Sequence, residues 1–138
     1  MSSRLPKLVV VGVGLIGGSF ALALKSRGVV GEVVGVGRSR SNLDEALAAG
    51  VIDRAVLRDG PWVRELADAD IVLLATPVGE FPALLAAMPG ALAESAVVTD
   101  GGSTKQDVVA AARAHLGAAL ARFVPAHPIA GTEQSGAR

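Results

Sequence analysis

The chain of 138 residues contains no cysteine, which excludes disulfides, cysteine-ligated zinc and thiol catalysis and fits a cytoplasmic setting. It also has no excess of either charge. Thirteen Lys and Arg balance thirteen Asp and Glu, so there is no positive field to gather a polyanion, and nucleic acid is not an expected partner. Histidine is scarce, with only His115 and His127 present, and no metal site is expected. No short-period repeat, low-complexity segment or internal boundary interrupts a length that suits about one domain.

The apolar run that is present, "LVVVGVGLIGGSFALAL" at 8–24, follows Arg4 and Lys7 in the manner of an export signal, with "ALA" at 21–23 as a candidate cleavage site. Gly12, Gly14, Gly17 and Gly18 argue against that reading and against a membrane span, because each weakens a helix where leucine would serve better. The same run divides more naturally into a strand at Lys7–Val11, a tight turn, and a helix closed by Gly28.

The unit then repeats. "EVVGVG" at 32–37 reads as a strand, followed by a polar turn and a helix through "NLDEALAAG", capped by Ser41 or Asn42 and stopped by Gly50. "AVL" at 55–57 is a weak strand, "WVRELADA" a short helix, "DIVLLATP" at 70–77 a buried strand ended by Pro77, and "EFPALLAAM" a helix. "SAVVTD" at 95–100, "STKQDVVAAARAHLG" and "RFVPA" complete the series as strand, helix and strand. Strands that alternate with helices pair in parallel through crossovers, and their continuous apolarity suits burial on both faces. The expected fold class is therefore α/β: a doubly wound, mostly parallel sheet of about six strands, of the Rossmann dinucleotide-binding type, with ligands at the carboxyl ends of the strands.

"GVGLIG", Gly12-x-Gly14-x-x-Gly17 with Leu15 and Ile16 between, lies at a strand-to-helix junction. Gly12 permits the turn, Gly14 lets the backbone approach a pyrophosphate, and Gly17 lets helix and strand pack closely. The pyrophosphate is then expected on the helix N-terminus. An NAD site ordinarily has an acid after the second strand to bind the adenosine ribose, but here the strand ends Gly37-Arg38-Ser39-Arg40 and Glu32 lies at its opposite end. Arg38 and Arg40, with the Ser39 hydroxyl, suit a 2′-phosphate, so NADP is favoured over NAD; a solvated arginine turn is the bland alternative.

Thr76-Pro77, Asp100-Gly101-Gly102-Ser103 and His127-Pro128 each follow a strand and so converge on the edge that carries the glycine loop. Ser103 also matches a helix cap, since Ser-Thr-Lys-Gln can form a capping box with Gln106, while Lys105 and His115 read as surface residues. His127 is held extended by Pro128 and carries the side chain best suited to move a proton near neutral pH, although a lone histidine is more often structural. Glu133 alone reads as a solvent-facing acid.

Taken in order, "VVVGVGLIGGSFALAL", "ADIVLLATPV", "VVTDGGSTK" and "HPIAGTEQSG" resemble the prephenate and arogenate dehydrogenases of tyrosine biosynthesis, along the whole chain. The resemblance implies oxidative decarboxylation of prephenate to 4-hydroxyphenylpyruvate, or of arogenate to tyrosine, with hydride passing to NADP or NAD. It implies that His127 handles the proton of the ring hydroxyl, that Ser103 assists there, and that Thr132 and Glu133 line the substrate pocket; by their strand-end positions, Thr76, Pro77 and Asp100 are expected to border the cofactor. Residues 1–125 would form the dinucleotide-binding domain and 126–138 the start of an active-site segment. The family's helical domain, which makes a homodimer and completes the site, would follow. Without it, the chain alone is expected to bind cofactor and not to turn over. Two alternatives remain: a non-catalytic NADP-binding domain, and another reductase on this sheet, such as a β-hydroxyacid dehydrogenase, which the HPIAGTE run disfavours. No membrane association is expected.

Overall fold

The computed structural model describes residues 6–76, 78–92, 96–100 and 123–124. They build one six-stranded sheet: β1 (Lys7–Val11), β2 (Glu32–Gly37), β3 (Arg54–Leu57), β4 (Ile71–Leu74), β5 (Val97–Asp100) and β6 (Phe123–Val124), in the spatial order β3-β2-β1-β4-β5-β6. Every neighbouring pair is parallel. Helices α1 (Leu15–Ser26), α2 (Arg40–Ala48) and α3 (Phe81–Ala86) and a 3₁₀ helix at Trp62–Asp68 supply crossovers. The doubly wound parallel sheet expected from the sequence is present.

Period-2 alternation in the strands divides the core between the two faces of the sheet. Val9 and Val11 of β1, Val34 and Val36 of β2, and Val72 and Leu74 of β4 point to one face, where Trp62, Leu66, Phe81, Leu84, Leu85 and Met88 cover them. Leu8, Val10, Val33 and Leu73 point to the other, beneath Ala21 of α1, Leu43 and Ala46 of α2, and Ile52. All five residues of β1 are buried, as expected for the central strand.

The two edges of the sheet carry different chemistry. At the amino edge, buried Lys7 donates from Nζ to the Glu65 carboxylate (2.9 Å) and to Asp68, and its backbone N–H donates to Asp70 Oδ2 (2.7 Å). Arg54 joins Glu32 (2.8 Å) and Glu65 (2.8 Å) beside it. Burial opposes the Lys7 charge, but hydrogen bonds to Asp68 and Glu65 outweigh it and raise its pKa. Arg54 is foremost in holding the Glu65 carboxyl at about 2. This edge is closed by charge pairs, which leaves the carboxyl edge for a ligand.

Local details depart from the sequence reading at a few points. The cap of α2 is Ser39, whose hydroxyl accepts from the Asn42 N–H (3.2 Å), rather than Ser41 or Asn42. An uninterrupted chain from β2 puts the turn at Arg38, so Arg40 already has helical geometry. The segment beginning at Trp62 is 3₁₀ over seven residues instead of α-helical, and β4 stops at Leu74, before Thr76 and Pro77. Helix α1 has 12 residues, and no helix among the described residues is long and apolar enough to cross a membrane.

Candidate nucleotide-binding site

Chain connectivity reverses direction between β1 and β4, since β1, β2 and β3 run outward one way and β4 returns to the other side of β1. That reversal opens a crevice beyond the strand ends. The glycine loop lies in it, between β1 and α1, and the Gly12 N–H donates to the Val36 carbonyl (2.8 Å), which fastens the loop to the end of β2.

The three glycines of the motif have separable reasons. Gly12 has φ of 97°, and a Cβ there would come within 2.8 Å of Thr76 Cγ2 and 2.9 Å of the Ala75 carbonyl carbon. A Cβ on Gly17 would stand 2.4 Å from the Gly12 carbonyl oxygen. Both are therefore required by the protein itself. Gly14 is different: its φ of −105° and ψ of −156° are extended, and a Cβ there would meet nothing within 4 Å. Neither packing nor backbone conformation asks for glycine at 14.

Gly14 is also the N-cap of α1, and no side chain caps that helix. The first-turn N–H groups, from Leu15 onward, thus lack the usual side-chain acceptor, and no acid occupies the turn. An open approach at Gly14, uncapped donors and the positive end of a helix dipole together fit a pyrophosphate.

A cleft of about 260 Å³ runs from this loop toward β2 and β3. Gly12, Val13 and Gly14 form one end, with Ala75 and Thr76 after β4. Val36 and Gly37 at the end of β2, Arg38 and Ser39 after it, Asn42 and Leu43 of α2, Arg58 after β3, and Glu80 form the remainder. Among the described residues, no group of His, Cys, Asp and Glu is arranged to hold a metal ion.

Gly12, Gly14, Arg38, Ser39 and Thr76 line the cleft. Gly17 packs directly under it, and the backbone of Leu15 and Ile16 begins α1 beside it. Arg40 does not line it; its guanidinium is exposed, 3.9 Å from Asp44 on the next turn of α2. Asp100 ends β5 with its side chain buried and is not among the cleft residues. Ser39 shares its hydroxyl with Ser41 at 3.1 Å, so when Ser41 donates, the Ser39 hydrogen is available to a ligand. Glu32 is at the amino edge, paired with Arg54, as its place in the strand required. Pro77, Ser103, His127, Thr132 and Glu133 lie outside the described residues.

Two charged cleft residues escaped the sequence reading. Arg58 follows β3 and its backbone N–H donates to the Gly37 carbonyl (2.8 Å), which holds it beside the end of β2. Glu80 lies in the connection after β4, where its Oε1 takes an ion pair from Arg38 Nη2 (3.2 Å) and a hydrogen bond from Arg58 Nη1. The strand-end rule that singled out Arg38 applies equally to Arg58, and the weakness of "AVL" as a strand obscured it. No spacing signal marks Glu80.

The profile described as "Prephenate dehydrogenase, nucleotide-binding domain" matches residues 20–138. This chain belongs to the prephenate dehydrogenase family. It is 34% identical over 137 residues to the prephenate dehydrogenase of Bacillus subtilis, covering 99% of this chain and 36% of that protein. Among solved structures, the Aquifex aeolicus prephenate dehydrogenase in complex with hydroxyphenyl propionate and NAD+ superposes with a TM-score of 0.78 at 34% identity, over 97% of this chain and 45% of that one. Synechocystis arogenate dehydrogenase superposes with a TM-score of 0.72 at 34% identity, over 92% of this chain and 42% of its own. The chain thus spans about a third of the length of the curated relatives it matches.

Proposed function

We propose that this chain is the cofactor-binding part of an NADP-linked prephenate or arogenate dehydrogenase. The observation that carries the reading is Gly14: it is a glycine that the fold does not need, set at an uncapped helix N-terminus within a cleft. In this reading the Gly12–Gly17 loop and the N–H groups of Leu15 and Ile16 hold the pyrophosphate. Arg38 and Ser39 bind a 2′-phosphate, Arg40 adds outer positive charge, and Thr76 and Pro77 border the nicotinamide. No acid stands directly after β2, where an NAD site ordinarily binds the ribose, which favours NADP. NAD, present in the Aquifex complex, is the alternative cofactor.

When bound, the cofactor supplies a hydride acceptor. The chain's own part is orientation and proton handling. His127 accepts the proton of the ring hydroxyl as that carbon gives up hydride and becomes a carbonyl centre, with Ser103 hydrogen-bonded at the same oxygen. A base with a pKa near the working pH suits that step. Loss of carbon dioxide then yields the aromatic ring, and Thr132 and Glu133 contribute to the substrate pocket. Residues 1–125 act as the nucleotide domain, 126–138 lead into the substrate region, and a cytoplasmic homodimer is the expected assembly.

The test is formation of reduced cofactor by the gene product that carries this chain, supplied with prephenate or with arogenate. His127→Asn is expected to abolish turnover and leave NADP affinity nearly unchanged; equal loss of both would remove His127 from the chemistry. NADP binding without turnover of either substrate would replace the dehydrogenase with a non-catalytic NADP-binding domain.

A further inference from the structure

Arg38 and Arg58 come from the ends of adjacent strands, yet their guanidinium groups meet on one oxygen, Glu80 Oε1. The three residues line one end of the cleft, and a neighbouring depression is lined by Arg38, Arg58 and Asp59. Arg38 is largely exposed, at 68%, whereas Arg58 and Glu80 are 15% and 22% exposed. Arg58 is therefore the better-fixed cation, held by its partly buried stem and by the backbone bond to Gly37.

We infer that Arg58 and Glu80 set cofactor selectivity at the adenosine ribose. Arg58 pairs with Arg38 to grip a 2′-phosphomonoester, and Glu80 is the resident anion that this phosphate must replace. The inference rests on the dinucleotide reading of the cleft given above.

A phosphomonoester carries two negative charges or slightly fewer near neutral pH, and two guanidinium groups offer ten N–H donors for its oxygens. Glu80 uses one nitrogen of each guanidinium and cancels one of the two positive charges. Asp59, exposed at the rim of the depression, opposes an anion further. With both carboxylates charged, the four groups sum to zero, so a 2′-phosphate gains its full pairing with both guanidinium groups only once the Glu80 carboxylate swings away. A ribose 2′-hydroxyl imposes no such demand, and the Glu80 carboxylate can accept its hydrogen bond. The same glutamate thus narrows, without reversing, the NADP preference that Arg38 and Arg58 create.

Calorimetric titration of the 138-residue chain and its variants with NADP, NAD and 2′-AMP tests this, since binding is read without turnover. Glu80→Gln keeps the size of the side chain and removes its charge. It is expected to tighten NADP and 2′-AMP about tenfold and to leave NAD unchanged or weaker. Arg58→Ala is expected to weaken NADP and 2′-AMP by about tenfold or more, with little change for NAD. If NADP binds the parent chain and Arg38→Ala weakens it, but neither Glu80→Gln nor Arg58→Ala alters the NADP-to-NAD ratio, the inference fails and the dinucleotide reading stands. If neither cofactor binds the parent chain, both fail together.

Discussion

Adding one methyl group at Gly14 or at Gly17 should separate what the ligand requires from what the fold requires. A Cβ on Gly17 would lie 2.4 Å from the Gly12 carbonyl oxygen, with Val10 Cγ1 at 3.0 Å and Ala75 Cβ at 3.1 Å on other sides. Backbone must move by nearly an ångström to relieve the first contact. Overpacking of that kind costs about 1–3 kcal/mol, against which alanine regains up to about 1 kcal/mol of helix propensity. Gly17→Ala is therefore expected to destabilise the chain by about 1–2 kcal/mol, roughly 4 °C in Tm per kcal/mol at this size. At Gly14 the Cβ meets nothing within 4 Å and the backbone is extended. The entropy removed from the unfolded chain, about 0.4–1 kcal/mol, offsets the poorer capping by alanine, so Gly14→Ala should lie within about 1 kcal/mol of the parent. Its effect should appear in binding: displacing the pyrophosphate from charge-assisted N–H bonds should weaken NADP about tenfold to a hundredfold. Urea unfolding paired with calorimetric titration reads both quantities. The reasoning is refuted if Gly14→Ala binds NADP as well as the parent does, or if it unfolds as readily as Gly17→Ala.

Two further perturbations probe the fold. The Glu65 carboxyl, held at about 2 by Arg54 first and Lys7 after it against an ordinary value of 4.5, contributes stability that is present above 4.5 and lost as pH falls toward 2. Glu65→Gln should thus flatten the fall in unfolding free energy between neutral pH and about pH 3, and an unchanged acid limb would remove Glu65 from it. Phe81 is fully buried at the start of α3 against the sheet. Phe81→Ala should cost about 3–5 kcal/mol in urea unfolding, and a loss below 1 kcal/mol would mean that α3 does not close that face.

The fold was legible wherever burial on both faces made the strands continuously apolar. The expected bounds of β1 and β2 coincide with the observed ones, and Gly28 and Gly50, just beyond the ends of α1 and α2, adopt positive φ. Legibility failed where local sequence offers equal choices. Arg-Ser-Arg-Ser-Asn contains three competent caps, and only the position of the chain leaving β2 selects Ser39. The 3₁₀ segment is too short for its hydrogen-bond spacing to be read from periodicity. In the cleft, the glycine loop and Arg38 were legible because each sits beside a recognisable strand. Glu80 was not, because its meeting with two arginines from other strands is a tertiary event. Ser103, His127, Thr132 and Glu133 lie outside the described residues, and the substrate roles proposed for them rest on family resemblance.

The central claim is that the cleft beside Gly14 holds a dinucleotide by its phosphates, with Arg38 favouring NADP. Calorimetric titration of the 138-residue chain with NADP and, separately, with NAD tests it most directly. Binding of both, tighter for NADP, is the expected result, and the preference should shrink as salt is raised, because the extra phosphate is held by charge. Absence of heat from either cofactor, or tighter binding of NAD, would contradict the claim.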